Sequence, residues 1–282
     1  MSADLHLHTR FSDGTFTPEE LVVAAQQQEL TALALTDHDT MEGCPATAAA
    51  CAAAGIEFLP GIELTSEQNG RELHILGYGL AMHQAPLQQA LAKFQAARQQ
   101  RIRDIVARLK ELNVTLDADA VLAQANCRAP GRPHVARALV TAGACATMDE
   151  AFERWLKQHR PAWVPKYRIT AADAIELIHQ AGGAAVLAHP ALNRADPLIP
   201  GLVEAGLDGI ECFHTQHSAN VSRRYVALAN RLGVLITGGS DCHGLNKGIP
   251  HIGTVRLPLV YFEKLKDRIA ERRARLPSGS SS

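Results

Sequence analysis

Asp4-Leu5-His6-Leu7-His8-Thr9, with Asp13 close behind, reads as a short buried strand that ends in imidazoles. Alternate side chains of a strand share a face. His6 and His8 are therefore expected to point one way, and Leu5 and Leu7 the other, into apolar packing. Two imidazoles on one face make half of a metal site. A His-x-His pair by itself also fits histidines that are merely hydrogen-bonded, so the rest of the chain has to decide.

After this stretch, strand and helix patterns alternate. Thr17-Pro18-Glu19-Glu20 is a helix start with a capping box and proline in the first turn. Ala32-Leu33-Ala34-Leu35-Thr36 is a buried strand running into Asp37-His38-Asp39. An alanine-rich helix then stops at Gly55. Strands over 57–64 and 72–78 bring in Glu63 and His74. From about Pro86 to Leu112 the apolar residues Leu91, Phe94, Ile102, Ile105, Val106 and Leu109 fall on one stripe of a long helix. Arg98, Arg101, Arg103 and Arg108 of that helix are expected to face solvent. Short helices follow over 134–141 and 148–157. The alternation returns with strands that end in His189-Pro190, Glu211 and Gly239-Ser240-Asp241-Cys242-His243. This divides the chain into a (β/α) barrel over 1–82 and 166–276, a helical insertion over 83–165, and a disordered tail over 277–282.

His6, His8, His38, Glu63, His189, Glu211, Asp241 and His243 all fall where predicted strands stop. In a (β/α) barrel that face holds the active site. The donors are imidazole and carboxylate with no thiolate, which suits manganese, zinc or iron. They exceed what one ion needs, so two or three ions are expected. Such a cluster can clamp a phosphate and activate water.

The motifs His6-Leu7-His8, Asp13-Gly14, Thr36-Asp37-His38-Asp39, Gly61-Ile62-Glu63, Ala188-His189-Pro190 and Gly239-Ser240-Asp241-Cys242-His243-Gly244 occur in an order that resembles the PHP (polymerase and histidinol phosphatase) family. This is the phosphoesterase branch of the amidohydrolase superfamily. The resemblance implies a distorted seven-stranded (β/α) barrel and three divalent ions, manganese first, with zinc or iron as alternatives. It places one ion on His6, His8, Glu63 and Asp241. A second takes Glu63 as a bridge, with His74 and His189, and a third takes Asp13, His38 and His243. Asp241, His189 and Glu63 are expected to carry the chemistry. Gly131-Arg132-Pro133-His134-Val135-Ala136-Arg137 resembles a segment of the nucleotide-directed phosphatases and short-RNA exonucleases of that family. A guanidinium and an imidazole at a helix start suit an anion. Arg132, His134, Arg137 and Lys166 are therefore the expected substrate contacts. The implied reaction removes the 3′-phosphate of a nucleoside 3′,5′-bisphosphate. The alternatives are 5′–3′ cleavage of short 5′-phosphorylated RNA, a histidinol-phosphatase-like activity, or a non-catalytic module.

Composition bounds these readings. The chain has 282 residues, 46% hydrophobic, and a formal net charge of −1. Near-neutrality disfavours an extended nucleic-acid surface and favours a small nucleotide or short RNA as partner. No apolar run reaches membrane-spanning length. Six cysteines without a Cys-x-x-Cys pair point to a reduced, cytoplasmic protein.

Overall fold

The computed structural model describes residues 1–275. Its first third contains β1 (Ser2–Asp4), α1 (Pro18–Gln27), β2 (Ala32–Leu35), α2 (Cys44–Ala54), β3 (Glu57–Gln68) and β4 (Arg71–Tyr78). A helical segment follows: α3 (Ala85–Glu111), α4 (Ala118–Ala125), α5 (Arg132–Thr141) and α6 (Met148–Ala151), which runs into a π-helical turn at Phe152–Leu156. The remainder comprises β5 (Ile169–Thr170), α7 (Ala171–Gln180), β6 (Ala184–Leu187), α8 (Ile199–Glu204), β7 (Gly209–His214), α9 (Ala219–Leu232), β8 (Leu235–Gly239), β9 (Leu257–Pro258) and α10 (Leu259–Arg275). The expected tail over 277–282 lies outside the described residues.

The strands form one sheet in the order β8-β7-β6-β4-β3-β2-β1-β9, with β5 attached to β3. Its two ends meet. Leu5 N–H donates to the Gly238 carbonyl at 3.2 Å, and Leu7 bridges Cys242 in parallel. β1, β2, β3, β4, β6, β7 and β8 thus enclose a nearly closed barrel, as expected. The distortion has a local cause. β4 is antiparallel to both β3 and β6, because only Asn69 and Gly70 join it to β3. Both have positive φ, 54° and 74°, as a tight hairpin turn requires.

Side chains alternate across the barrel wall. Ala32 and Ala34, Leu76 and Tyr78, and Ala184 and Val186 pack with Phe262, Leu265 and Ile269 of α10 in an inner cluster. Leu33 and Leu35, Leu73 and Ile75, and Ala185 and Leu187 belong to a larger outer cluster under α1, α2 and α7. Leu5 and Leu7 were expected on one face, but Leu5 joins the inner cluster and Leu7 the outer. Regular pairing of β1 ends at Asp4, and period-two alternation ends with it.

α3 serves two cores. Leu87, Leu91 and Phe94 pack on the barrel. Ile102, Ile105, Val106 and Leu109 join Val121, Val135, Leu139, Trp155 and Leu156 in a separate helical core. Arg98 and Arg101, expected in solvent, are 9% and 7% exposed. They lie on the same stripe, at helical spacing between Phe94 and Ile105, so their stems are buried with it. Arg98 grips Asp39 (Nε–Oδ2 2.7 Å, Nη2–Oδ2 2.6 Å) and donates to the Pro130 carbonyl at 3.3 Å. Arg101 Nε donates to the Val164 carbonyl at 2.9 Å. Arg103 and Arg108 are exposed, as expected. α4 and α8 have no predicted counterpart; they span only 8 and 6 residues, too few to show a helical period.

Among the described residues, no helix is long and apolar enough to cross a membrane. Removing the guanidinium from the Arg98–Asp39 pair strands a buried carboxylate. Arg98→Ala should therefore lower unfolding stability by about 3–5 kcal/mol, measured by urea denaturation. A loss below about 1 kcal/mol, the scale of an exposed pair, would show that the pair does not clamp α3 to the barrel.

Candidate metal centre

The ligand-bearing segments are held by three buried carboxylates that face away from the centre. Asp4 accepts from Ser240 N–H at 2.8 Å and Gly253 N–H at 3.0 Å, fixing the start of the Asp241 segment. Asp37 accepts from Thr9 N–H at 2.8 Å, Thr9 Oγ1 at 2.6 Å and Ser12 Oγ at 2.6 Å, which shapes the turn carrying Asp13. Asp39 accepts from Thr65 N–H at 2.8 Å and Thr65 Oγ1 at 3.0 Å, beside its Arg98 pair. Burial pushes Asp4 up to about 6 and Asp37 to about 7, although their hydrogen bonds pull the other way. At Gly239 a Cβ would stand 2.3 Å from His6, so only glycine lets β8 approach the first motif. Asp39, His189 and Asp241 have φ of 52°, 27° and 52°. Left-handed backbone at such residues is strain that clusters at functional sites.

Glu63 sits at the middle, fully buried. Its Oε2 lies 3.3 Å from His6 Nε2, 3.3 Å from His8 Nε2 and 2.9 Å from His38 Nδ1. Its Oε1 lies 2.7 Å from His74 Nδ1 and 3.1 Å from His189 Nε2. Asp241 Oδ1 is 3.4 Å from His6 Nε2 and 3.0 Å from His8 Nε2. Donor atoms within 4.8 Å of one another form the groups His6/His8/Glu63/Asp241, His8/Asp13/His38/His243 and His38/Glu63/His74. His243 Nε2 is 3.3 Å from Asp13 Oδ1. All the ligand residues expected from sequence meet here. His38 and His8 each belong to two groups, whereas the family resemblance gives each of them one ion. His189 reaches the cluster through Glu63.

The residues fit divalent cations. His6 Nε2, both nitrogens of His8, Asp13 Oδ1, His38 Nδ1 and Glu63 Oε2 are buried without a hydrogen-bond partner. Leaving such atoms unsatisfied costs about 1–3 kcal/mol each, and shared cations would satisfy them together. The charges agree. Burial would raise the carboxyls, but His38, His74 and His6 hold Glu63 well below the carboxylate range, and His243 and His38 do the same for Asp13. Asp241 is held low by His6 and His243 against burial. Burial and His243 depress His8 to about 3, leaving neutral lone pairs for a cation. His74 and His243 rise to about 9 and about 10 against burial, through Glu63 and Asp13 respectively.

Sequence alone left Glu211, His214 and His217 without assigned roles. Glu211 is buried with Oε1 2.9 Å from His6 Nδ1, and its Oε2 accepts from His189 N–H at 2.7 Å. It orients His6 so that Nε2 faces the cluster, as partners of metal-bound imidazoles do. His214 accepts from Gln216 N–H through Nδ1 at 3.1 Å, so its proton is on Nε2, 3.5 Å from Asp241 Oδ2. His217 Nδ1 meets the Cys212 carbonyl at 3.2 Å, away from the ligands.

Arg132 and Lys166 line one cleft of about 560 Å³ with Arg71, Glu72, Arg101 and Arg168. Burial lowers Arg132 and Lys166, and burial with Arg132 and Arg98 brings Arg101 to about 9. These cations favour an incoming anion. His134 and Arg137 are elsewhere. His134 Nδ1 accepts from Gly131 N–H at 3.1 Å and caps its own helix, while Arg137 donates to Asn246 Oδ1 at 3.1 Å, beside the Asp13 carbonyl. The presence of Arg71 and Arg101 in the cleft is absent from the sequence expectation. Only the helical stripe through Phe94 and Ile105 could have brought Arg101 inward.

The PHP domain model matches residues 4–160. The chain is 34% identical over 249 residues to the Salmonella typhimurium 5′–3′ exoribonuclease Rnm, covering 85% of this chain and 84% of that protein. It is 34% identical over 256 residues to the Chromobacterium violaceum 3′,5′-nucleoside bisphosphate phosphatase, covering 89% and 90%. The fold superposes with a TM-score of 0.84 on the solved structure of an amidohydrolase from Chromobacterium violaceum with bound sulfate, at 31% identity, covering 95% of this chain and 97% of that one.

Elemental analysis of the purified protein should find more than one divalent cation per chain. Glu63→Gln should lower that number, because its two oxygens face different ligand groups. A stoichiometry of one or less in the active protein, or an unchanged one in the variant, would contradict the shared carboxylate.

Proposed function

Because this chain belongs to the PHP family of metal-dependent phosphoesterases, we propose that it removes the 3′-phosphate from nucleoside 3′,5′-bisphosphates, giving the 5′-monophosphate and phosphate. The observation that carries this reading is the cationic cleft beside the ligand cluster. Glu72 lines the cleft and lies 3.3 Å from His74 Nε2 of the cluster. A monoester at the cluster needs no second anion site. A bisphosphate does: one phosphate meets the cluster while the other is held by guanidinium and ammonium groups.

Three cations are assigned, manganese first, with zinc or iron as alternatives: one on His6, His8, Glu63 and Asp241, one on Glu63, His74 and His189, and one on Asp13, His38 and His243. Bound there, they would neutralise phosphoryl charge and acidify water. Arg132 and Lys166 hold the 5′-phosphate and so fix which ester faces the cluster. Glu63, His189 and Asp241 are the catalytic residues. Asp241 has a side chain 20% exposed against 1% for Glu63, so it is the carboxylate placed to take a proton from water entering the centre. His214 N–H faces Asp241 Oδ2 and leaves Oδ1 to the cluster.

The proposed division keeps the barrel over 1–82 and 166–276 and the insertion over 83–165; the separate helical core supports it. Six unpaired cysteines fit a cytoplasmic setting. The exoribonuclease relative favours a second reading, in which a short 5′-phosphorylated RNA presents a 3′-phosphodiester in the same geometry.

Initial rates on adenosine 3′,5′-bisphosphate, AMP, histidinol phosphate and a 5′-phosphorylated trinucleotide check both readings. The bisphosphate should be the best substrate by kcat/KM. Arg132→Ala should lower its kcat/KM about tenfold or more, the worth of a charged hydrogen bond, and leave histidinol phosphate unchanged. AMP turned over as well as the bisphosphate would sink the two-anion reading. Preference for the trinucleotide would transfer it to RNA.

A further inference from the structure

Glu72 stands where no anion cleft should need a carboxylate. It is the one acidic side chain among the described residues lining the cleft. On the β3–β4 hairpin it lies directly opposite Glu67, and like charges so paired are destabilising. A local rule broken in this way marks a functional position more often than a stabilising one.

Its contacts explain the placement. Glu72 and His74 are two residues apart on β4, so their side chains share a face. Glu72 Oε1 lies 3.3 Å from His74 Nε2 and 2.7 Å from Lys166 Nζ, and Oε2 lies 3.0 Å from Arg168 Nη2. The opposite nitrogen of the same ring, Nδ1, is 2.7 Å from Glu63 Oε1. One carboxylate therefore fixes the outward edge of a cluster imidazole and occupies two cations of the cleft.

Resting on the reading of the cleft as an anion site, we infer that Glu72 is a positioning residue with two opposed effects. It orients His74 toward the cation cluster, and it competes with the substrate's second phosphate for Lys166 and Arg168. An anion entering the cleft must share or displace Glu72. That sets a threshold which a dianionic phosphate crosses and a weaker anion does not. Arg168 also reaches Glu67 Oε2 at 3.5 Å. Glu67 has no contact with His74 in this chain of groups, so it separates the two effects.

Calorimetry reads each effect without turnover. AMP is titrated into metal-free protein as the anion probe, and Mn²⁺ is titrated separately. Glu72→Gln should bind AMP several-fold more tightly and Mn²⁺ about tenfold more weakly, the scale for removing a partner of a metal-bound imidazole. Glu67→Gln should also tighten AMP but leave Mn²⁺ binding unchanged. Lys166→Ala should weaken AMP binding, placing the probe in the cleft. A Glu72→Gln protein that binds both more weakly has a merely structural defect, and the inference fails. It fails equally if Mn²⁺ affinity is unchanged, if AMP is not tightened, or if Lys166→Ala leaves AMP binding intact. Wild-type turnover of adenosine 3′,5′-bisphosphate is scored apart. If the calorimetry is as expected while that substrate is spared, the substrate assignment falls and the role of Glu72 stands.

Discussion

A single buried carboxylate, Glu63, constrains everything around it. It is buried, and each oxygen faces a different set of imidazoles. A lone charge in that position would be expelled or neutralised. It is tolerated because the surrounding nitrogens, and the cations they are suited to hold, supply the opposite charge. Those nitrogens come from the segments just past β1, β2 and β6 and from within β4, so the barrel must close for Glu63 to be satisfied. The cluster and the fold are one problem in electrostatics.

The supporting shell follows from this. Asp4, Asp37 and Asp39 are spent on backbone N–H groups, hydroxyls and Arg98, and they set the segments that present Asp13, Asp241 and the stretch of β3 around Thr65. Glu211 does for the His6 ring what Asp37 does for the Thr9–Ser12 turn. The strained backbones of His189 and Asp241 persist because these bonds over-determine them. On the proposed reading, substrate selection is kept outside the cluster, in a cleft whose cations come from β4, α3, α5 and the return from the helical segment.

The sequence showed the barrel because its evidence is local. Apolar runs that end in His, Asp or Glu recur at one point of each repeat, and the gap between 83 and 165 carries a helical period. Asn69-Gly70 is an equally local hairpin signal, but the strand-and-helix alternation masked it, and the antiparallel β4 was not anticipated. The cleft was less legible because it depends on rotation and distance. Arg132 and His134 are neighbours in sequence, yet a helix turns about 100° per residue, so they face opposite sides of α5. Arg101 reaches the cleft because α3 is held against the barrel by Leu87, Leu91, Phe94 and the Arg98–Asp39 pair. Glu211 announced itself at a strand end, but nothing in the chain could say that it would meet the far side of His6.

The central claim is that Glu63 is shared between cations held by imidazoles on either side of it. Anomalous diffraction at the manganese edge, from crystals grown with Mn²⁺, tests this most directly. The expected map has separate peaks on the two sides of the Glu63 carboxylate, one toward His6 and His8 and another toward His74 and His189. A single peak, or peaks that leave one Glu63 oxygen uncoordinated, would contradict it.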